Sequence, residues 1–330
     1  MTLSLTRRAL LGATGGVTLA SAVPVLGGGR PAHALVEATG GQAPGFFRFR
    51  VGDFDVLSVS DGSLTLEPMA AMMPNAPADE MAAIMAAHGR PTDRLFGATN
   101  ALLVNTGDHR VLVDAGSGEM FQPTAGRLEQ NLAAAGIMAE DIDAIVFTHA
   151  HPDHAWGIID TATASPRFPN ATYYMRETEW GFWMSPDTLS SAPDAIRGMI
   201  QTTQDVFQPV ADRVELLAAD AEVVPGVFLA ETPGHTPGHV GIRVSSGDQQ
   251  LFCTGDCMVS DILHFRHPEW HFAFDMDPDQ AVTTRRRVFD EVSADGIPVI
   301  GFHFTYPGVG YVMRDGGAYR WVAAQWFWDE

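Results

Sequence analysis

The 330-residue sequence predicts a mixed α and β domain (α/β, in the α+β sense) on three observations. Short apolar or alternating runs of strand length outnumber the segments with helical spacing. Residues able to bind metal stand directly after such runs in both halves of the chain, at His149–His154, His235, Asp256 and His303. No low-complexity array or polar linker divides the sequence, so both halves are expected to build one core.

The elements follow in order. Residues 35–45 read as a Pro/Gly/Ala tail. Phe47–Val51 and Phe54–Ser60 alternate as strands and meet at Gly52-Asp53, a hairpin-type turn. Residues 68–92 are rich in Met, Ala and Pro, with a helix expected near Asp79–His88. Ala101–Asn105 and Arg110–Asp114 are expected strands joined by Thr106–His109. Thr124–Ala135 has helical spacing, with Leu128 and Leu132 on one face, and stops at Gly136. The apolar run Ile142–Thr148 is a further strand, and a helix is expected to start near Ala155. In the second half, Ala192–Phe207 and Asp279–Val292 read as helices. Arg213–Leu217, Val227–Ala230, Val240–Val244 and Gln250–Phe252 read as strands, and Pro298–Phe302 is a last apolar run.

The chemistry concentrates in His149-Ala150-His151-Pro152-Asp153-His154. Imidazole nitrogen and carboxylate oxygen are the ligands that divalent metals such as zinc prefer. Leaving a strand, His149 and His151 point the same way and can share one metal, while Asp153 and His154 fall beyond and can face a second. His235, Asp256 and His303 each follow a strand-like run, so a rigid scaffold could deliver them to the same place. Five His and two Asp are too many for one tetrahedral ion and about right for two with a shared carboxylate.

This pattern (His-x-His-x-Asp-His, a later Thr232-Pro233-Gly234-His235, Gly255-Asp256 after a strand and a final His303) resembles the metallo-β-lactamase superfamily. Its dinuclear hydrolase branch fits best, because position 256 holds Asp where many true β-lactamases hold Cys. Ala43–Arg48, Gly52–Phe54, Ser60–Gly62, Leu103–Gly107 and Phe302–Gly310 resemble the methyl parathion hydrolase-like group, which includes phosphotriesterases and lactone and aryl-ester hydrolases. The resemblance implies an αββα four-layer sandwich. It implies that His149, His151 and His235 hold one metal, that Asp153, His154 and His303 hold the other, and that Asp256 bridges. Two divalent ions are expected, zinc first, with manganese, iron or cobalt possible. A hydroxide held between two cations about 3.5–4 Å apart is a nucleophile at neutral pH. Asp256 and Asp153 are thus the candidate catalytic side chains, Asp153 also as a proton carrier to the leaving group.

The remaining inventory agrees by exclusion. All twenty cationic residues are arginine, which removes Schiff-base lysines, the Gly-x-x-x-x-Gly-Lys phosphate loop and Ser-x-x-Lys acylation. No Gly-x-Ser-x-Gly elbow is present. Cys253 and Cys257 are expected to pack as small hydrophobes rather than to act as nucleophiles or pair. Residues 1–34 resemble a twin-arginine export signal: Arg7-Arg8, a Gly-interrupted apolar stretch to Leu26 and Ala32-His33-Ala34 as the cleavage site. The stretch is too short and broken for a membrane span. Cleavage would leave 35–330 as one domain of 296 residues, acting in the periplasm. It would also shift the net charge from −20 to −23, because Arg7, Arg8 and Arg30 leave with the leader and no acid does. So acidic a surface repels nucleic acid and disfavours strongly anionic small molecules. A small neutral organic substrate is expected, with a homodimer as a possible assembly.

The substrate wall is sought among aromatics. Phe121 and Phe182-Trp183 occupy positions that line the cavity in the methyl parathion hydrolase-like group, and Trp156 stands where that group has a small residue. Phe265 lies in the aromatic stretch Asp261–Asp277, which could wall an apolar pocket. His264, His267 and His271 are expected to make ordinary hydrogen bonds, and His239 to stand behind the ligands and orient them. Met69–Met85 is expected either to pack a surface helix or to form a pliable wall. The reaction expected first is hydrolysis of a neutral lactone or aryl ester, with phosphotriester hydrolysis beside it. The alternatives are β-lactam hydrolysis, thioester hydrolysis of the glyoxalase II kind, and one-iron persulfide oxidation.

Overall fold

A computed structural model describes residues 42–325 and 327 of the chain. The expected leader and the first part of the expected tail lie outside the described residues. Two seven-stranded sheets face each other. The first is ordered β1-β2-β3-β4-β5-β8-β9. Its strands are β1 (Phe46–Val51), β2 (Phe54–Leu66), β3 (Leu95–Asn105), β4 (Arg110–Val113), β5 (Ala144–Val146), β8 (Thr172–Arg176) and β9 (Val214–Leu217). Between β5 and β8 the chain forms a small ribbon, β6 (Ile159–Asp160) with β7 (Ser165–Pro166). The second sheet runs β10 (Glu222–Val224), β11 (Val227–Glu231), β12 (Val240–Ser246), β13 (Gln249–Cys253), β14 (Val299–Ile300), β15 (Val309–Asp315) and β16 (Ala318–Ala323).

Period-two alternation explains the layering. On β3, Leu102 and Val104 face inward, toward Val227, Leu229, Ile242 and Val244 of the second sheet, and Leu103 faces outward. Val111, Leu112 and Val113 on β4 divide the same way. The outward residues of the first sheet are covered by α3 (Leu128–Ala134) and α7 (Asp194–Phe207), through Leu128, Leu132, Ile200 and Phe207. The outward face of the second sheet, Phe252, Val299 and Val312, is covered by Val288, Phe289 and Val292 of α9 (Pro278–Asp295). Helix, sheet, sheet and helix therefore stack in the αββα order that the sequence resemblance implied.

The shorter helices are α1 (Met69–Met72), α2 (Ala78–Ala87), α4 (Pro152–Ala155), α5 (Glu177–Trp183), α6 (Pro186–Ser191) and α8 (Leu263–Arg266). The helix expected near Ala155 begins instead at Pro152 and lasts one turn. Proline fits the first helical position because no intrahelical partner awaits its missing N–H there. Beyond it a 3-10 turn, Trp156–Ile158, carries Gly157 against the 115–116 loop, where an added Cβ would lie 2.0 Å from the Ala115 carbonyl oxygen. Strands β6, β7, β8, β10, β15 and β16 were not anticipated. On β15 and β16 exposed Tyr311, Met313, Arg314 and Arg320 blur the alternation.

The topology also sets where the ligands emerge. β4 and β5 run parallel. β11 and β13 are each antiparallel to β12, and β14 runs parallel to β13. The ends of β4 and β5 thus share one edge of the first sheet, and those of β11, β13 and β14 share one edge of the second.

Candidate metal centre

Four loops meet at those edges: Thr148–His154 after β5, Thr232–His239 after β11, Thr254–Cys257 after β13 and Gly301–Gly308 after β14. All seven expected ligands converge; six are buried, and the His303 side chain is 9% exposed. His151 Nδ1 lies 2.9 Å from His149 Nε2 and 2.9 Å from His235 Nε2. His303 Nε2 lies 3.3 Å from Asp153 Oδ2. Asp256 stands between the two groups, with Oδ2 3.3 Å from His235 Nε2 and 3.2 Å from His303 Nε2, and Oδ1 3.3 Å from His154 Nε2. The groups able to hold an ion are therefore His149/His151/His235 and Asp153/His154/His303, with His149/His154/Asp256 across the middle.

The outer nitrogens decide what the inner ones can do. His235 Nδ1 donates to Asp275 Oδ1 at 2.9 Å, His154 Nδ1 to Asp114 Oδ2 at 2.8 Å, and His303 Nδ1 to the Ala98 carbonyl at 2.9 Å. Thr148 Oγ1 spends its proton on Asp114 and can accept from His149 Nδ1 at 3.1 Å. With those protons turned outward, the inner nitrogens of His149, His151 and His235 present lone pairs to one another. His154 Nε2 and Asp256 Oδ1 are buried with no hydrogen-bond partner among the described residues. Buried acceptors facing one another at such distances repel unless a cation lies between them, so the donor set fits two divalent ions.

Burial and neighbouring charges divide the ligands into two groups. Burial first, then the surrounding histidines, holds His149 and His151 well below the usual imidazole range, so they stay neutral and ready to ligate. Burial also opposes charge on His154, yet Asp256, Asp153 and Asp114 outweigh it and lift His154 well above that range. Burial would raise Asp256, but His303 and His154 hold it well below the usual carboxylate range. His239 stands behind the ligands, as anticipated. Its Nδ1 donates to the Thr232 carbonyl at 2.9 Å and its Nε2 accepts from the Asp256 amide at 2.9 Å, and burial pushes it down to about 3.

Cys253 and Cys257 are free and buried, and burial pushes the Cys257 thiol up to about 12. A thiol so reluctant to ionise packs rather than attacks. Of the other histidines, His264 accepts from the Val259 amide, His267 stacks on Trp270 at 4.0 Å, and His271 lies 3.6 Å from Asp279.

Of the five aromatics expected in the substrate wall, Phe265, Trp156 and Trp183 are packed in the core. Phe265 is buried between Phe289, Phe304 and Trp321, so it fills the core beside α9. Trp156 is buried against α7, where its Nε1 donates to Thr203. Trp183 is fully buried and props His151 edge-on at 5.4 Å. Phe182 is half-buried edge-on to Trp183, and the exposed Phe121 packs against Trp156. A cavity of about 220 Å³ opens instead on the His303 side, and none of those five aromatics lines it. Its apolar wall comes from Leu66, Met85, Leu95, Phe96, Ile262 and Phe272, with Arg90 and Tyr306 also lining it. Met85 supplies one face of that wall, while Met69, Met73 and Met81 pack beneath it in the core.

Three supporting carboxylates escaped sequence reasoning. Asp114 follows β4 as Asp256 follows β13, so its signal was present. Its left-handed φ of 61° is one that Asp tolerates better than most residues. Asp275 and Glu179 carried no such signal, because each meets its partners only across the fold.

Comparisons with known proteins agree with this geometry. The family model described as Metallo-beta-lactamase superfamily matches residues 94–296. Beta-lactamase-like protein 2 homolog of Drosophila melanogaster is 28% identical over 177 residues, 52% of this chain and 50% of that protein. An N-acyl homoserine lactonase of Bacillus sp is 28% identical over 120 residues, 36% of this chain and 40% of that one. The chain thus spans half or less of the length of these curated relatives. Among solved structures, AidC, a dizinc quorum-quenching lactonase in complex with its product, superposes with a TM-score of 0.81. It is 26% identical, over 86% of this chain and 98% of that one. The hydrolase AbOPH in the beta lactamase superfamily also gives 0.81, at 27% identity over 87% and 100% of the two chains.

Proposed function

The chain belongs to the metallo-beta-lactamase superfamily, and we propose that it serves there as a two-metal hydrolase of neutral lactones, with aryl esters and phosphotriesters as related substrates. One observation carries the reading: two groups of buried ligands share Asp256 beside an apolar cavity bordered by His303. When bound, a pair of divalent ions, zinc first, supplies an activated water and polarises the oxygen under attack. The protein's own residues do the rest. Asp275, Asp114 and the Ala98 carbonyl fix which nitrogen His235, His154 and His303 offer. His239 holds the backbone of Asp256. Leu66, Met85, Phe96 and Ile262 shelter an acyl or aryl group from water, leaving the ester linkage near His303.

Size and charge support the substrate class. At roughly 30 Å³ for each water-sized unit, a cavity of about 220 Å³ suits a medium acyl chain or one aromatic ring. A net charge of −20 and the absence of lysine favour a neutral molecule. The likeness to a dizinc lactonase puts lactones first. Two separate ligand groups favour two ions over the single iron of the oxidative alternative. The twin-arginine leader expected at 1–34 makes the periplasm the proposed place of action, and a mature protein that still begins at Met1 would count against it.

The test is a panel of acyl lactones, aryl esters and paraoxon-like triesters, with nitrocefin alongside, on protein of measured metal content. Hydrolysis of medium-chain lactones at two ions per chain is expected. Two ions per chain with no turnover of lactone, ester or triester would overturn the reading, and so would one iron with oxygen uptake.

A further inference from the structure

We propose that Glu179, which ligates nothing, is a positioning residue that sets the geometry of the three-histidine half of the centre. The inference rests on the reading that His149, His151 and His235 hold an ion. Glu179 lies in α5, outside every motif noted in the sequence, and is fully buried. Its carboxylate accepts four hydrogen bonds. Oε1 takes the Ala150 amide at 3.0 Å and Trp183 Nε1 at 2.7 Å. Oε2 takes Thr236 Oγ1 at 2.7 Å and the Gly238 amide at 3.0 Å.

Each donor belongs to a segment that carries or touches a ligand. Ala150 is the residue between His149 and His151. Thr236 follows His235, and Gly238 closes the same loop. Trp183 braces the His151 ring edge-on at 5.4 Å. The loop after β5 and the loop after β11 belong to different sheets, and this one carboxylate ties them together. The approach leaves no slack, because a Cβ on Gly238 would lie 2.2 Å from the Glu179 amide nitrogen.

The site demands acceptors only. Both oxygens face N–H donors, so the NH2 of a glutamine would meet a backbone or indole N–H whichever way it turned. Glu179→Gln thus preserves size and breaks the clamp. A buried carboxylate that merely staples the fold offers the matching control. Asp61 also accepts four hydrogen bonds, from Ser117 N, Ser117 Oγ, Gly126 N and Leu128 N, and none of these donors lies in a ligand-bearing loop.

The experiment is a zinc titration of the full chain against a competing chelator, counting ions per chain, with thermal unfolding recorded in parallel. Wild type should bind two ions. In Glu179→Gln one ion should weaken by about 10- to 100-fold, as outer partners of ligands usually do, while the second keeps its affinity. In a His303→Ala background, where the three-histidine group is left intact, Glu179→Gln should weaken the remaining ion by the same factor. Asp61→Asn should lower the melting temperature and leave the affinity ratio of the two ions unchanged. If Glu179→Gln fails to fold, Trp183→Phe removes one of the four bonds and should weaken the same ion by a smaller factor. The proposal is overturned if Glu179→Gln, or Trp183→Phe in its place, binds both ions as wild type does. It is equally overturned if both ions weaken together in step with stability, or if Asp61→Asn shifts the same ion as far. A His303→Ala chain that keeps Glu179 and binds no ion would instead remove the reading beneath it, and the proposal with it.

Discussion

Asp275 decides which nitrogen His235 offers. It accepts from Nδ1, and Arg285, itself fully buried, reaches its other oxygen at 3.4 Å. Asp275→Asn should therefore cost about 10- to 100-fold in metal affinity or turnover, measured as zinc bound and lactone hydrolysed at fixed free zinc. An unchanged affinity would mean that His235 is oriented by packing alone. Protonation gives a second prediction at this scale. Burial opposes charge on His154 and His303, but Asp256 and Asp153 outweigh it and raise both, whereas His149 and His151 lie low. The metal-free chain therefore holds protons on the first pair to a higher pH than free imidazole would, and incoming zinc must displace whatever is bound there. About one to two protons per chain should be released on zinc binding, readable by calorimetry in buffers of different ionisation enthalpy. Release should fall as pH rises through the two elevated values. The seven candidate ligands were legible in the sequence, because each stands just after an apolar run. Their supports were not, since a hydrogen bond between Glu179 and Thr236 leaves no local pattern.

Elements position these residues through their ends. The residues leading into α9 abut the His235 loop: the Met276 amide donates to the His235 carbonyl and the Asp277 amide to the Gly234 carbonyl. Gly234 has a φ of 130°, and a Cβ there would lie 2.3 Å from the Ala281 amide nitrogen. Gly234→Ala should cost about 2 kcal/mol or more in strain and overlap and lower zinc content with it. A variant that keeps its urea midpoint and both ions would refute that packing account. Asp277 caps the same helix by accepting from the Gln280 amide, so Asp277→Ala should cost about 1 kcal/mol, seen as a small drop in melting temperature. The sequence located α9, β11 and β13 to within a few residues, because α9 and β11 keep the period of their buried faces and β13 ends in a short apolar run. It set the single turn α4 three residues late and missed the strands β15 and β16. There proline geometry, short length and exposed side chains leave too few periodic positions to read.

On the scale of the whole molecule, the two sheets join where the ions would bind, so metal content and stability should rise and fall together. At a free metal concentration a hundred times the dissociation constant, each ion adds about 2.7 kcal/mol. Chelation should thus lower the melting temperature by roughly 5 to 10 °C and abolish hydrolysis, and zinc should restore both. A melting temperature indifferent to chelator would mean that the sheets hold the site without help.

The amino-acid order alone determined the fold class and the strand-end placement of seven candidate ligands. These depend on side-chain period and charge, which are properties of short stretches. Only the tertiary structure decided which carboxylates orient the histidines and where the cavity lies. It also turned Phe265, Trp156 and Trp183 from supposed pocket walls into packed supports. An aromatic side chain looks the same in sequence whether it meets solvent or another sheet, and the neighbour across the fold chooses between them.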